Sequence, residues 1–288
     1  MDTILSTDSY LELLLSLPNL KPASVLSIFF LTLARILPIM AITPFLGAKN
    51  IPMAIRIMFS ISLVAIFLPQ NLLMIHQEIP FEVPWIGLML KELAIGFVIG
   101  FLASAPFFLV QMAGSLIDHS RGSSALQVND PTTQSQTGPI GILFNYVLLA
   151  LFFSLGGPFF FFNGLAQSYT LIPVDQGFNV LLFSARGPYW KYVSHILASI
   201  FNLCVQIAAP SLIGILLTDL FLGIANRLAP QVQIVFLGIS LKSWVGIALL
   251  TAAWSLIITV MGKESIQWIK SLNQFIQQVG YNFGSPKS

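Results

Sequence analysis

Asp118, His119 and Arg121 crowd into one stretch, Gly114 to Gly138, that reads GSLIDHSRGSSALQVNDPTTQSQTG. An acid, an imidazole and a guanidinium beside Ser115, Ser120, Ser123 and Ser124 are the residue types of a nucleophile, a general base and an anion clamp. Their spacing argues against that chemistry. Adjacent Asp and His side chains diverge on a helix, and no G-x-S-x-G turn presents a serine. There is no H-E-x-x-H, no P-loop and no G-x-G-x-x-G followed by a strand, so no metal, cofactor or catalytic residue is expected and the chain does not read as an enzyme. His76 has no Cys or second His at metal-site spacing. Cys204 is the single cysteine and lies in an apolar run, which excludes a disulfide within the chain and points to a buried, inert thiol.

The remaining charges are informative because they are few. Only 8% of the 288 residues are charged and 56% are apolar, where a soluble domain carries about 25% charge. With a mean hydropathy of +0.85 and several runs near the ~20 residues that cross a bilayer as a helix, the chain reads as an integral membrane protein. Helices are required, because a barrel would show only short alternating segments. A net charge of +2 with no long Lys/Arg block gives no support for nucleic-acid binding or for an anionic-lipid patch. The expected fold is an all-α polytopic membrane protein, one membrane domain over residues 1–288. It has about six long apolar helices, several kinked or forming hairpins, and a C-terminal amphipathic helix.

Residues 1–22 hold too few leucines to span, and Pro18 and Pro22 end any helix, so a short interfacial or packed segment is expected. The acidic Asp2, Asp8 and Glu12 argue against a cleaved signal. Apolar runs follow at about Ala23–Leu46, Met53–Leu68, Trp85–Met112, Pro139–Leu165, Tyr192–Leu217 and Val232–Met261. Arg35 falls near the middle of the first, close to Pro38, and should face protein or a wet cavity: a polar conduit and a structural charge satisfied by carbonyls are equally open readings. Lys91 and Glu92 lie a turn or two inside the third run, and Gly96 and Gly100 form a flat strip for close helix approach. Pro106 predicts a bend ahead of the polar stretch. Gly156-Gly157-Pro158 splits the fourth run into a bent span or a hairpin, whose Phe clusters read as core filler or as a pore seal. Residues 166–191 form a second polar loop ending in an aromatic and basic belt, and 218–231 form a hairpin tip. The sixth run carries Lys242. In the tail, 263–280, Ile266, Ile269, Leu272, Ile276 and Val279 recur at steps of three and four, an amphipathic helix. Flanking Lys/Arg, six against three, favour cytoplasmic termini.

Two function classes survive these exclusions. Broken spans and the membrane-depth charges Arg35, Lys91, Glu92 and Lys242 suit an ion-coupled secondary transporter of a small solute, although residues 23–112 and 139–261 show no convincing repeat. Alternatively, the polar stretch at 113–139 is a loop held in or over a membrane assembly. It would be a weakly fixed element bounded by Gly114, Gly122 and Gly138, with Asp118 and Arg121 three apart and able to pair on a helical turn. In that reading the Gly strip and the unmatched intramembrane charges wait for other subunits. An ordinary solvated loop is the bland possibility.

The motifs decide between them by resemblance. GSLIDHSRG after the long third run, Asp130-Pro131, SYTLIPV at 168–174 and NRLAPQVQIVFLGISLK at 226–242, in this order, resemble the SctT/FliR family of type III secretion export-apparatus proteins. The G-x-x-I-D-x-x-R-G form looks more like the injectisome branch, associated with virulence, than the flagellar one. The resemblance implies a single-copy subunit of an export gate in the bacterial inner membrane. Such a gate is assembled with SctR- and SctS-type subunits, is contacted by an SctU-type one, and passes unfolded secreted proteins through a narrow channel. It further implies that Gly114, Ser115, Leu116, Ile117, Asp118, Arg121 and Gly122 belong to a plug, and that Asn226, Arg227, Pro230 and Gln231, with Lys242 downstream, serve the entrance side or assembly. Tilted hairpins in place of six straight crossings are implied as well.

Overall fold

A computed structural model describes residues 22–47, 51–75, 79–122, 138–177, 188–228 and 234–284. Among them the regular structure is helical throughout: α1 (Pro22–Ile42), α2 (Met53–Met74), α3 (Val83–Ser120), α4 (Pro139–Ser154), α5 (Gly157–Leu171), α6 (Pro188–Leu228), α7 (Ile234–Ala252) and α8 (Trp254–Gly284), with a 3-10 turn at Pro44–Leu46. The chain is an all-α, multi-pass membrane protein. Four helices are long and apolar enough to cross a bilayer, and up to six spans result if two bent pairs each count as one. Large apolar side chains on the outer surface, such as Met58, Ile66, Leu216 and Phe221, suit contact with lipid or with other membrane helices.

Proline opens several helices where its missing N–H costs nothing, at Pro22, Pro139 and Pro188. The two bends differ. Between α4 and α5 the direction changes by 73° at Gly156, whose φ of +75° only glycine adopts readily. Between α7 and α8 the change is 60° with no Gly or Pro at the break. There the Thr251 hydroxyl donates back to the carbonyls of Ile247 at 3.0 Å and Ala248 at 2.8 Å, one turn before the break.

The described residues fall into two compact units. The first draws on Met1–Leu102, Gly164–Ala185 and Ile276–Ser288, the second on Ala103–Asn163 and Arg186–Phe275. In the first, α1 packs on α2 and on the glycine strip of α3: a Cβ on Gly96 would collide with the Arg35 backbone carbonyl, and one on Gly100 would sit 3.0 Å from the Ile39 Cα. The strip therefore serves an internal contact, with α1. In the second, α6 and α7 form a long packed hairpin.

Three expectations are corrected. The polar loop does not begin at 113, because α3 continues through Ser120. Pro106 does not end it, and the Ser115 and Ser120 hydroxyls donate to Gln111 and Leu116 carbonyls one turn back, so their polarity is absorbed by the helix. The terminator is Gly122, at φ +82°, in the left-handed cap position. Gly114 is instead a point of close contact, where an added Cβ would lie 2.6 Å from the Gly141 Cα. The amphipathic tail at 263–280 is helical as expected, with Ile269, Leu272 and Ile276 of its stripe buried, but its helix starts earlier, at Trp254, within α8. Residues 218–228 of the expected tip are the end of α6. The N-terminal segment 1–21, His76, the remainder of the polar stretch at 123–137, most of the second polar loop (178–187) and the tip residues Pro230 and Gln231 lie outside the described residues.

Candidate functional site

Two charge clusters stand out, one in each unit. In the first, Arg35 of α1, Lys91 and Glu92 of α3 and the carboxyl end of α5 meet at a point with no solvent exposure of any of the three charged side chains. Arg35 grips Glu92 with a two-pronged fork, Nε to Oε2 at 2.5 Å and Nη2 to Oε1 at 2.9 Å. Its other donors go to the Ser168 carbonyl and hydroxyl, at 2.9 and 3.1 Å, and to the Ile172 carbonyl at 2.7 Å. All five N–H groups of the guanidinium are thus used, and its plane lies 4.2 Å from the Tyr169 ring centre. The Lys91 ammonium sits 2.9 Å from Glu92 and donates to the carbonyls of Pro173 at 2.7 Å and Gln176 at 2.8 Å. Two cations against one buried anion are balanced by these carbonyls at the negative end of α5, and by Asp175 close by. The intramembrane charges expected to await partner subunits are therefore satisfied within this chain.

In the second unit the end of α3 is fastened to the start of α4. Asp118 pairs through Oδ1 with Arg121, one turn on, while its Oδ2 accepts from the backbone N–H groups of Ile140 at 2.8 Å and Gly141 at 3.4 Å. Gly138 is the N-cap of α4 and offers no side chain. Asp118 supplies the capping carboxylate from another helix, to the second and third N–H groups that a native cap would bind. A Cβ on Gly138 would strike that carboxylate. Arg121 lays its methylenes against Gly246 of α7 and reaches Ser243 Oγ at 3.5 Å. Ile117, Asp118 and Arg121 are buried, whereas Leu116 is half exposed. Gly114, Ser115, Leu116, Ile117, Asp118, Arg121 and Gly122 are thus brought together as a helix end, not as a free loop.

Lys242 of α7 pairs with Asp219 of α6 across the hairpin, both partly exposed. Asn226 and Arg227 lie exposed in the last turns of α6. Cys204 is half-buried and its thiol donates to the Leu109 carbonyl at 3.3 Å. Among the described residues no group of three His, Cys, Asp or Glu side chains could hold a metal.

Sequence reasoning missed two sets of partners. The carbonyls of 168–176 carry no side-chain signal, although SYTLIPV marked the segment. Asp219 was findable: it precedes the tip of the hairpin by about as many residues as Lys242 follows it.

Residues 26–267 match the family described as bacterial export proteins, family 1. The chain belongs to this family, the SctT/FliR family of export-apparatus proteins. The export protein is 33% identical over 213 residues to the secretion system apparatus protein SsaT of Salmonella typhimurium, covering 74% of this chain and 79% of the relative. It is 27% identical over 252 residues to the flagellar biosynthetic protein FliR of Bacillus subtilis, covering 88% and 95%. It is also 31% identical over 161 residues to the Yop proteins translocation protein T of Yersinia pestis, covering 56% and 60%. The export protein is accordingly a membrane component of a protein secretion apparatus, not an enzyme.

Proposed function

We propose that this chain is a subunit of an export gate in the bacterial inner membrane, forming part of the wall of a channel for unfolded secreted proteins. In this reading SctR- and SctS-type subunits complete the wall and an SctU-type subunit contacts it. The stretch Gly114–Gly122 carries the plug, and the α6–α7 tip with Asn226 and Arg227 faces the entrance. The observation that carries this is the Asp118–Arg121 clasp: the motif residues converge at one buried point, where the end of α3 is fastened to α4 and α7 by polar contacts. Such contacts exchange for water more readily than an apolar core opens, which suits an element that must both seal and yield. The injectisome branch is favoured by the G-x-x-I-D-x-x-R-G form.

The solute-transporter reading loses its footing, because Arg35, Lys91 and Glu92 are consumed by one another and by the backbone carbonyls of Ser168, Ile172, Pro173 and Gln176. Co-purification in mild detergent tests the assignment: small export-apparatus membrane subunits should accompany the chain. A stable monomer holding a small solute would contradict it.

A further inference from the structure

Helix α6 has 41 residues, about 62 Å, roughly twice what a bilayer core needs. Its amino-terminal part carries a polar stripe, His195, Ser199, Asn202 and Gln206, at steps of four, three and four, and all four are exposed. Helix α8 answers with Glu264, Gln267 and Ser271, at steps of three and four. Both stripes line a cavity of about 250 Å³ between the two helices. On its wall, buried Trp268 has an indole N–H with no acceptor.

We infer that this α6–α8 groove is the seat of a transmembrane or membrane-edge helix of a neighbouring subunit, one that presents Ser, Thr, Asn or Gln at every turn. The inference rests on the reading of the chain as an export-complex subunit and names a surface for that contact. Lipid tails offer nothing to these side chains, and amides and hydroxyls facing hydrocarbon are costly. A lipid headgroup would need one cluster of polar groups. The stripe on α6 instead extends about 16 Å along the axis, from His195 to Gln206, with groups at each turn. That length is about three turns of polar groups in line with the groove, a face that a helix lying along it can contact throughout. Side chains of Asn and Gln both donate and accept, so they fit a partner stripe of the same kind. An extended chain in transit repeats at about 6.6–6.8 Å every two residues, out of step with these turns.

The test places a photo-reactive amino acid at Asn202 in the full-length chain, in cells making the whole apparatus. A control goes at Phe201, roughly 130° around the helix from the stripe. The expected result is an adduct of one fixed mass from position 202, absent from 201. Mass spectrometry should map it to a polar-striped helix of another subunit of the same apparatus. Adducts with secreted substrate or phospholipid only, or none at all, would overturn the inference. In parallel, Asn202→Trp should lower the co-purified partner about tenfold while Asn202→Gln keeps it. Equal recovery from both would also overturn it. If the unmodified chain itself purifies without export subunits, the function proposed above fails as well. If it brings them but position 202 does not touch them, only the groove assignment falls.

Discussion

The two charge clusters solve the problem of ions inside an apolar protein in opposite ways. Around Arg35 the partners come from far along the chain, Glu92 at 57 residues and Ser168 at 133, and every donor of the guanidinium is engaged. Asp118 and Arg121 are a local pair, three residues apart, and Arg121 keeps one N–H, at Nε, without a protein acceptor and a long 3.5 Å contact to Ser243. The first cluster locks three helices of its unit and has nothing left to exchange. Besides its own pair, the second rests on two backbone N–H groups of α4 and on the Ser243 contact with α7. Buried ions with saturated, long-range partners make a keystone, while a local pair resting on a helix terminus would, in the gate proposed above, make a fastening that can be undone.

Removing Glu92 should show the largest effect. Glu92→Ala leaves two buried cations facing each other, and the loss should be about 3–5 kcal/mol, read from unfolding of the purified complex in detergent. In a double-mutant cycle Arg35→Met should recover part of it; a loss under about 1 kcal/mol for Glu92→Ala would remove the distinction between keystone and fastening. Gly96→Leu comes next, because its side chain meets the Arg35 backbone and not a movable group. It should cost about 3 kcal/mol, against about 1 for Gly100→Ala, both by thermal melting. For the clasp, Asp118→Ala should cost about 2 kcal/mol, the sum of a lost cap and an unpaired Arg121. Rescue by Gly138→Ser is not expected, since the site of its Cβ lies against residue 118. Smallest in stability is Lys242→Ala, a partly exposed pair worth about 0.5 kcal/mol. Its effect should appear in assembly or export assays, and normal export would reduce Lys242 to a surface ion pair.

Sequence alone reveals the membrane class, the helical composition and the position of every charge that matters, because hydrocarbon tolerates so few of them. It also suggests that Asp118 and Arg121 pair, since three residues is one helical turn. The points where α3 and α6 end are less legible: the polar stretch looks like a loop from Gly114, yet serine hydroxyls that bond one turn back let the helix run on to Ser120. Acceptors are harder still. Backbone carbonyls of Ser168, Ile172 and Pro173 have no residue signature, so Arg35 and Lys91 look unmatched until the fold brings α5 beside them. The bend between α7 and α8 is equally hidden, since neither Gly nor Pro at the break gives warning.

The central claim is that the end of α3 fastens a gate, and permeability tests it most directly. In cells that assemble the apparatus but are not secreting, Asp118→Ala should raise leakage of a small solute across the inner membrane while the complex is recovered at normal yield. Glu92→Ala should instead lower that yield. Unchanged leakage from a fully assembled Asp118→Ala complex would contradict the account.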